Sequence, residues 1–109
     1  MPEKFTNFVG FGLAAAESGY SGARFPWESA GEGVDVTPTF ARDQTGHPRT
    51  IGTGQHEEHV VADVAWAAAC YLDWTGDRAF ASGPGRDILV ETARYWASRI
   101  ELDEEGRGH

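Results

Sequence analysis

The chain has 109 residues, 40% of them hydrophobic and 12% aromatic, and this composition predicts a folded domain rather than a disordered segment. Seventeen acidic against nine basic side chains give a formal net charge of -8, which repels phosphodiesters and anionic lipid headgroups. Nucleic acid and membrane surfaces are therefore excluded as expected partners.

The single cysteine and the hydropathy pattern bear on the cellular compartment. Cys70 has no second cysteine to form an intrachain disulfide, which favours a reducing compartment. No apolar run approaches the ~20 residues of a membrane-spanning helix, and the N-terminus lacks the charged and apolar regions of a signal peptide. We therefore expect a cytoplasmic protein.

The N-terminal residues 6–18 predict a first helix. Residues 14–17 favour it, and Gly19 is placed to end it. Gly10 and Gly12 weaken the helix, because glycine in a helix interior costs about 1 kcal/mol relative to alanine.

A long loop follows over residues 19–56. Between residues 30 and 54 it is rich in glycine, threonine, aspartate and proline, and no apolar period is sustained. We expect at most a few extended residues, at 34–39. A loop of this length without regular structure is either functional or disordered.

Two apolar stripes predict a helical hairpin over residues 57–102. Residues 57–75 carry apolar side chains at three- and four-residue spacing, and Gly76 is placed to end this helix. Pro84 can open the second helix, and the short connection, with Phe80 pointing inward, folds the two into an antiparallel pair. The stripes consist of Val60, Val64, Ala67, Tyr71 and Trp74, and of Ile88, Thr92, Tyr95 or Trp96, and Arg99 or Ile100.

The predicted fold class is all-α, with about three helices, a long loop and an acidic tail at residues 103–109. Apolar helix faces assign Trp66, Trp74 and Trp96 to a core role. Arg94 and Arg99 are expected to pair with acids on their own helix, Glu91 or Asp87.

The segment Phe25-Pro26-Trp27-Glu28 carries the chemistry of a sugar site. Proline stiffens the backbone, aromatic faces pack on the C–H faces of sugar rings, and a carboxylate accepts hydrogen bonds from hydroxyl groups. The alternative is an aromatic plug that packs under the loop. Composition alone leaves both interpretations open.

The string His56-Glu57-Glu58-His59 raises the question of a metal site. The zinc-binding helix signature places histidines at i and i+4, whereas these histidines are at i and i+3. We therefore predict no metal site and no metal cofactor. Acids in a first helical turn also complement the helix dipole, which accounts for Glu58 and leaves Glu57 open between that role and ligand binding.

Several short motifs follow one another along the chain: residues 22–29, 36–38, 57–65, 75–80 and 88–99. In this order they resemble motifs of the glycoside hydrolase family 65 phosphorylases. Residues 22–29 match Gly-Ala-x-Tyr/Phe-Pro-Trp-Glu-Ser, and Glu57, His59 and Asp63 match Glu-x-His-Ile-x-x-Asp-Ile-Ala. Residues 88–99 are close to Ile-Leu-x-Glu-Thr-Ala-Arg-Phe-Trp-Ala-Ser-Arg.

The resemblance implies part of an (α/α)6-barrel catalytic domain. Such enzymes split an α-linked glucose disaccharide with inorganic phosphate, the co-substrate, and with inversion. The motif with the general acid, Gly-Pro-Asp-Glu-Tyr-His-Glu, is expected beyond His109, so the catalytic residues of this chain stay unknown and the chain alone should be inactive. The implied sugar-binding residues are Trp27, Glu28, Thr53, Glu57 and His59.

Alternatives of other classes stay open at this stage. One is a stand-alone carbohydrate-binding or protein-interaction module, and another is a metal-dependent hydrolase using His56 and His59. Because part of a barrel leaves apolar faces bare, we expect the folded chain to self-associate. Trehalose, kojibiose, nigerose and maltose all remain candidate substrates.

Overall fold

The computed structural model describes residues 15–31 and 34–109. Residues 15–17 are helical, and the rest of the predicted first helix up to residue 14 lies outside the described residues. The elements that follow are β1 (Phe40–Arg42), β2 (Pro48–Thr50), α1 (Thr53–His56), α2 (His59–Thr75), α3 (Arg78–Ser82) and α4 (Pro84–Arg99).

Helices α2 and α4 form the predicted hairpin. Gly76 ends α2 in the left-handed conformation with φ +60°, where its N–H donates to the Leu72 carbonyl. Pro84 lies in the first turn of α4, where its missing N–H has no helical partner to lose. Contacts join the start of α2 to the end of α4, so the two helices run antiparallel.

The buried stripe of α2 differs by one position from the predicted one. Val61 and Ala68 are buried, whereas Ala67, Tyr71 and Trp74 are exposed. Both stripes have helical spacing, and the sequence alone does not fix which one meets α4, because alanines and valines occur on either side of the helix. In α4, Thr92 and Tyr95 are buried as expected.

The connection between the two helices contains a further short helix, α3. Asp77 caps its start, with Oδ1 accepting the Phe80 N–H at 3.0 Å. The ring of Phe80 packs edge-on against Tyr71 at 4.8 Å between centroids, which closes the turn end of the hairpin.

The long loop contains a β-hairpin that the all-α prediction missed. Strands β1 and β2 pair antiparallel, with Phe40 opposite Thr50 and Arg42 opposite Pro48. Asp43 holds the turn: its Oδ1 accepts the N–H groups of Thr45 and His47. An isolated bridge also joins Ser29 to Asp35.

The core lies where α2, α4 and the segment after residue 15 meet. Ala15, Val61 and Tyr95 are fully buried together, and Tyr20 and Trp96 pack against them. The prediction of a core role is wrong for Trp66 and Trp74, because 72% and 88% of their surfaces are exposed. They lie on the side of α2 that none of the described elements covers.

Residues 101–109 turn back on themselves. Leu102 bridges to Gly108, and Asp103 accepts hydrogen bonds from the backbone and side chain of Arg107. Among the described residues, no helix combines the length and the apolar character that crossing a bilayer requires.

Candidate functional site

The candidate site is built around His59, at the first residue of α2. Its Nδ1 lies 2.7 Å from Asp63 Oδ2, and its Nε2 lies 2.7 Å from Glu57 Oε2. Each ring nitrogen therefore faces a carboxylate at the distance of a charge-assisted hydrogen bond. The imidazole bridges two acids that are six residues apart in sequence.

Local backbone geometry explains this arrangement. His59 and Asp63 are separated by four residues within α2, so their side chains lie on the same face one turn apart. Glu57 lies in the break between α1 and α2 and has an extended backbone, with φ -79° and ψ 96°. The chain direction changes there, which lets Glu57 reach the far side of the His59 ring.

The two carboxylates favour the charged form of the ring. Hydrogen bonds to Asp63 and then to Glu57 raise the pKa of His59 above its usual value of 6.5. The imidazolium carries an N–H on both nitrogens, and each can donate to one carboxylate, whereas a neutral ring has a single N–H. The three side chains then carry one net negative charge.

Trp27 completes the site from the long loop. Its ring lies 5.5 Å from the His59 ring, centroid to centroid, at an interplanar angle of 82°. The side chain stays 43% exposed, so part of the indole is open to a ligand. The arrangement places an aromatic surface next to a cluster of hydrogen-bonding groups.

Two contacts hold the loop segment that carries Trp27. The Ala23 N–H donates to the Glu91 carbonyl of α4 at 3.1 Å. The Arg24 guanidinium donates to the carbonyls of Gly54 and Gln55, at 2.9 and 3.1 Å. Arg24 therefore joins the loop segment that carries Trp27 to α1, the short helix that precedes Glu57 and His59.

The remaining predicted residues are Glu28, next to Trp27 in sequence, and Thr53, next to Gly54. The Glu28 N–H donates to Thr37 Oγ1 at 3.0 Å, and Thr37 packs so closely against Gly54 that a Cβ added to this glycine would lie 3.0 Å from Thr37 Cγ2. Within residues 15–31 and 34–109, neither the Glu28 nor the Thr53 side chain hydrogen-bonds to His59. The structure thus brings together Trp27, Glu57 and His59 and leaves the other two beside them.

Glu58 points away from this site and has a structural partner. Its Oε2 lies 2.5 Å from the Arg99 guanidinium, and its Oε1 accepts the Tyr95 hydroxyl at 3.3 Å. The predicted pairing of Arg99 within its own helix is therefore wrong, because α4 presents Arg99 to α2 instead. Arg94 does pair with Glu91, as predicted.

The acids and histidines of the site do not converge on one point. Asp63 and Glu57 bond opposite nitrogens of the same ring, so their oxygens lie on opposite sides of it. In the part of the chain that the structure describes, no group of three or more such side chains could hold a metal ion.

Two residues that shape the site, Asp63 and Arg24, were not assigned to it from the sequence. The spacing of His59 and Asp63 by four residues is a usable signal, since it places the pair on one helix face. Arg24 carried no local signal, because its partners are backbone carbonyls about thirty residues away.

Chemically, the site offers an aromatic ring for the apolar face of a ligand and carboxylate oxygens for its hydroxyl groups. Ionised carboxylates accept hydrogen bonds and each oxygen has more than one lone pair, so an oxygen bonded to His59 can accept a second donor. This combination suits a polyhydroxylated ring.

The chain is similar to proteins of one known family. Residues 12–109 match the model of the glycosyl hydrolase family 65 central catalytic domain. The chain is similar to a kojibiose phosphorylase of Halothermothrix orenii, 47% identical over 92 residues, or 83% of this chain and 12% of that protein.

Two further relatives give the same result. A kojibiose phosphorylase of Escherichia coli is 42% identical over 98 residues, which is 88% of this chain and 13% of that protein. A kojibiose hydrolase of Flavobacterium johnsoniae is 45% identical over 92 residues, 84% of this chain and 12% of that protein. The chain thus spans about an eighth of the length of these curated relatives.

Proposed function

This chain belongs to glycosyl hydrolase family 65, and we propose that it holds part of the sugar-binding site of an enzyme that splits an α-linked glucose disaccharide. The reaction class is that of a glucoside phosphorylase or hydrolase, in carbohydrate metabolism. The observation that carries the proposal is the contact between Trp27 and the His59–Glu57 pair.

The similarity to both phosphorylases and a hydrolase supports a role in sugar binding. The relatives named kojibiose phosphorylase and kojibiose hydrolase share one disaccharide by name, and this chain is 47% and 45% identical to them. A phosphorylase uses phosphate where a hydrolase uses water. A segment similar to both kinds to the same degree is better explained by the shared sugar than by the nucleophile that differs.

The proposed roles follow from the geometry. The exposed part of the Trp27 ring packs against the C–H face of a glucose unit. Glu57, held by His59, accepts hydrogen bonds from sugar hydroxyls, and Glu28 from the long loop and Thr53 from the start of α1 add contacts. Inorganic phosphate is the co-substrate if the enzyme is a phosphorylase.

We assign no catalytic residue among the 109. Inverting cleavage needs a protonated acid at the leaving oxygen. The Glu57 carboxyl group is already engaged by the His59 ring, with 2.7 Å between Oε2 and Nε2. We propose that the general acid belongs to a part of the enzyme outside these residues.

The finer architecture is likewise a proposal. The α2–α4 hairpin, with the loop before it, would be one section of an (α/α)6 barrel, and the enzyme would be cytoplasmic.

The exposed tryptophans on α2, Trp66 and Trp74, support self-association of this chain. Sedimentation at increasing concentration should show an average mass above that of the monomer, and substituting Trp66 and Trp74 by serine should reduce it.

The test of the sugar site is a titration of the 109-residue chain with kojibiose. We expect weak binding, with Kd on the order of millimolar, because only part of the site is present. Trp27→Ala should weaken binding about tenfold, since it removes the stacking surface. Trp74→Ala removes an equally large exposed ring near the other end of α2 and is the matched control; at concentrations below those at which the chain self-associates, it should bind as the unchanged chain does.

Two outcomes would contradict the proposal. Equal affinities for Trp27→Ala and the unchanged chain would remove Trp27 from the site. Formation of glucose 1-phosphate or glucose from kojibiose by this chain, with phosphate present, would contradict the assignment of the general acid to another part of the enzyme.

A further inference from the structure

We propose that Asp63 is a positioning residue of the sugar site: it fixes the orientation of the His59 ring, and through that ring the Glu57 carboxylate that meets the sugar. The proposal rests on the proposed function, in which Glu57 binds hydroxyl groups. Asp63 itself need not touch the ligand.

The backbone around the two acids indicates that Asp63 fixes the His59 ring and that Glu57 follows the ring. Asp63 lies inside α2, a helix of 17 residues that fixes the position of its Cα atom. Glu57 lies in the non-helical break between α1 and α2. The rigid partner at Nδ1 therefore sets the direction in which Nε2 points, and the Glu57 side chain follows that direction.

The Trp27 ring depends on the same contact. It lies across the His59 ring at 82°, so a rotation of the imidazole about its Cβ–Cγ bond would change the surface against which the indole packs. A hydrogen bond to Asp63 at 2.7 Å opposes that rotation. Asp63 thereby holds both halves of the proposed site, the aromatic surface and the carboxylate, in one relative arrangement.

The charges around His59 reinforce this arrangement. Asp63 faces the ring from α2 and Glu57 from the preceding break, while Trp27 from the loop is uncharged and has Glu28 as its neighbour in sequence. Glu58 forms its ion pair with Arg99 instead. In its doubly protonated form the ring can donate to both acids, whereas a neutral ring can donate to only one.

The test is Asp63→Asn, which keeps the shape of the side chain and removes its charge. Long-range proton–nitrogen NMR of the His59 ring should show the unchanged chain titrating above the usual value, and the variant should titrate at a lower pH. Kojibiose affinity of the variant should fall about fivefold at a pH between the two titration midpoints, where the ring is mostly charged only in the unchanged chain, and remain within about twofold at a pH below both midpoints, where the ring is charged in both proteins.

Asp73→Asn is the matched control, because Asp73 is an exposed aspartate on the same helix, ten residues further along. It should leave both the ring titration and the affinity unchanged. A general loss of structure in Asp63→Asn would lower the affinity equally at both pH values and would also appear in the thermal melt. The pH dependence therefore separates positioning from a merely structural role.

The ring titration and the kojibiose affinities test different parts of the proposal. If its His59 ring titrates at the usual value and neither ring N–H is protected from exchange, Asp63 does not hold the ring. If the ring behaves as expected but kojibiose does not bind at any pH, the proposed function fails while the contact between Asp63 and His59 stands. If kojibiose binds equally well to Asp63→Asn at the pH between the two titration midpoints, the positioning role is wrong and the sugar site stands.

Discussion

Glu58 and Arg99 form an ion pair that joins the start of α2 to the end of α4, with 2.5 Å between the Glu58 oxygen and the Arg99 nitrogen. Arg99 also donates to the Tyr20 hydroxyl at 2.9 Å, and Glu58 accepts the Tyr95 hydroxyl. The pair thus connects both helices with Tyr20, near the start of the long loop. Burial, followed by the neighbouring Glu58 charge, raises the pKa of Tyr95 and keeps its hydroxyl protonated.

Glu58→Gln should lower the free energy of unfolding by about 1–2 kcal/mol, because a partly buried guanidinium and a buried hydroxyl lose their charged acceptor. Urea denaturation followed by circular dichroism measures this change. Arg94→Gln is the control: it removes the exposed Arg94–Glu91 pair, for which about 0.5 kcal/mol or less is expected. Equal effects of the two substitutions would show that the Glu58–Arg99 pair has no special structural role.

Gly22 allows the loop to approach α4 closely. A Cβ at this position would lie 2.2 Å from the Glu91 carbonyl oxygen and 2.6 Å from the Tyr95 nitrogen, and the backbone has φ +74°. Gly22→Ala should therefore lower the free energy of unfolding by about 3 kcal/mol, the sum of the steric clash and the left-handed conformation. The same urea denaturation measures this.

Gly46→Ala separates the two contributions. Gly46 has a similar backbone, φ +83°, but nothing lies within 4 Å of its added Cβ. Only the conformational cost of about 1 kcal/mol should remain. A Gly22→Ala variant no less stable than Gly46→Ala would mean that the loop does not contact α4 as the structure shows.

Local signals in the sequence were sufficient for the helical hairpin. Gly76 and Pro84 each act through their own backbone, so the end of α2 and the start of α4 could be predicted from single residues. The β-hairpin was missed because no alternation of apolar residues marks its strands. Its most evident stabilising feature is the set of hydrogen bonds that Asp43 accepts in the turn. Its strand residues are all exposed, which removes the hydrophobic signal on which strand prediction depends.

The sequence assigned only some of the residues that form the candidate site, because others have partners that are distant in sequence. The resemblance supplied Trp27, Glu57 and His59, and in the structure Trp27 and Glu57 each contact the His59 ring. The partners of Arg24 and Arg99 are distant in sequence, at carbonyls and at Glu58, and no local pattern identifies them. The exposure of Trp66 and Trp74 could not be predicted either, because an apolar helix face does not say what covers it.

His59 should make the stability of the chain depend on pH. Its pKa is raised in the folded state by Asp63 and Glu57, so its contribution is complete below the ordinary value of 6.5 and is lost as the pH rises through the folded-state value. The melting temperature of the unchanged chain should therefore exceed that of His59→Gln at pH 6 by more than at pH 9. The other histidines are common to both proteins and cancel in this difference, so a difference that is constant between pH 6 and pH 9 would contradict the bridging role of His59.

Asp77 should link the turn end of the hairpin to acid stability. Its two oxygens accept hydrogen bonds from the Phe80 N–H and the Tyr71 hydroxyl, at 3.0 and 2.7 Å, and these bonds, the Phe80 one first, lower the pKa of Asp77 below 3.8. Asp77→Ala should reduce the melting temperature at pH 7 by a few degrees, because it removes both the cap of α3 and the partner of Tyr71.

Asp77→Asn is the matched variant, since its amide oxygen can still cap α3 but carries no charge. It should melt closer to the unchanged chain at pH 7 than Asp77→Ala does. A group with a lowered folded-state pKa contributes stability that is lost as the pH falls through that value, so the advantage of the unchanged chain over Asp77→Asn should shrink between pH 5 and pH 2. An advantage that persists undiminished at pH 2 would show that the Asp77 charge does not act through these bonds.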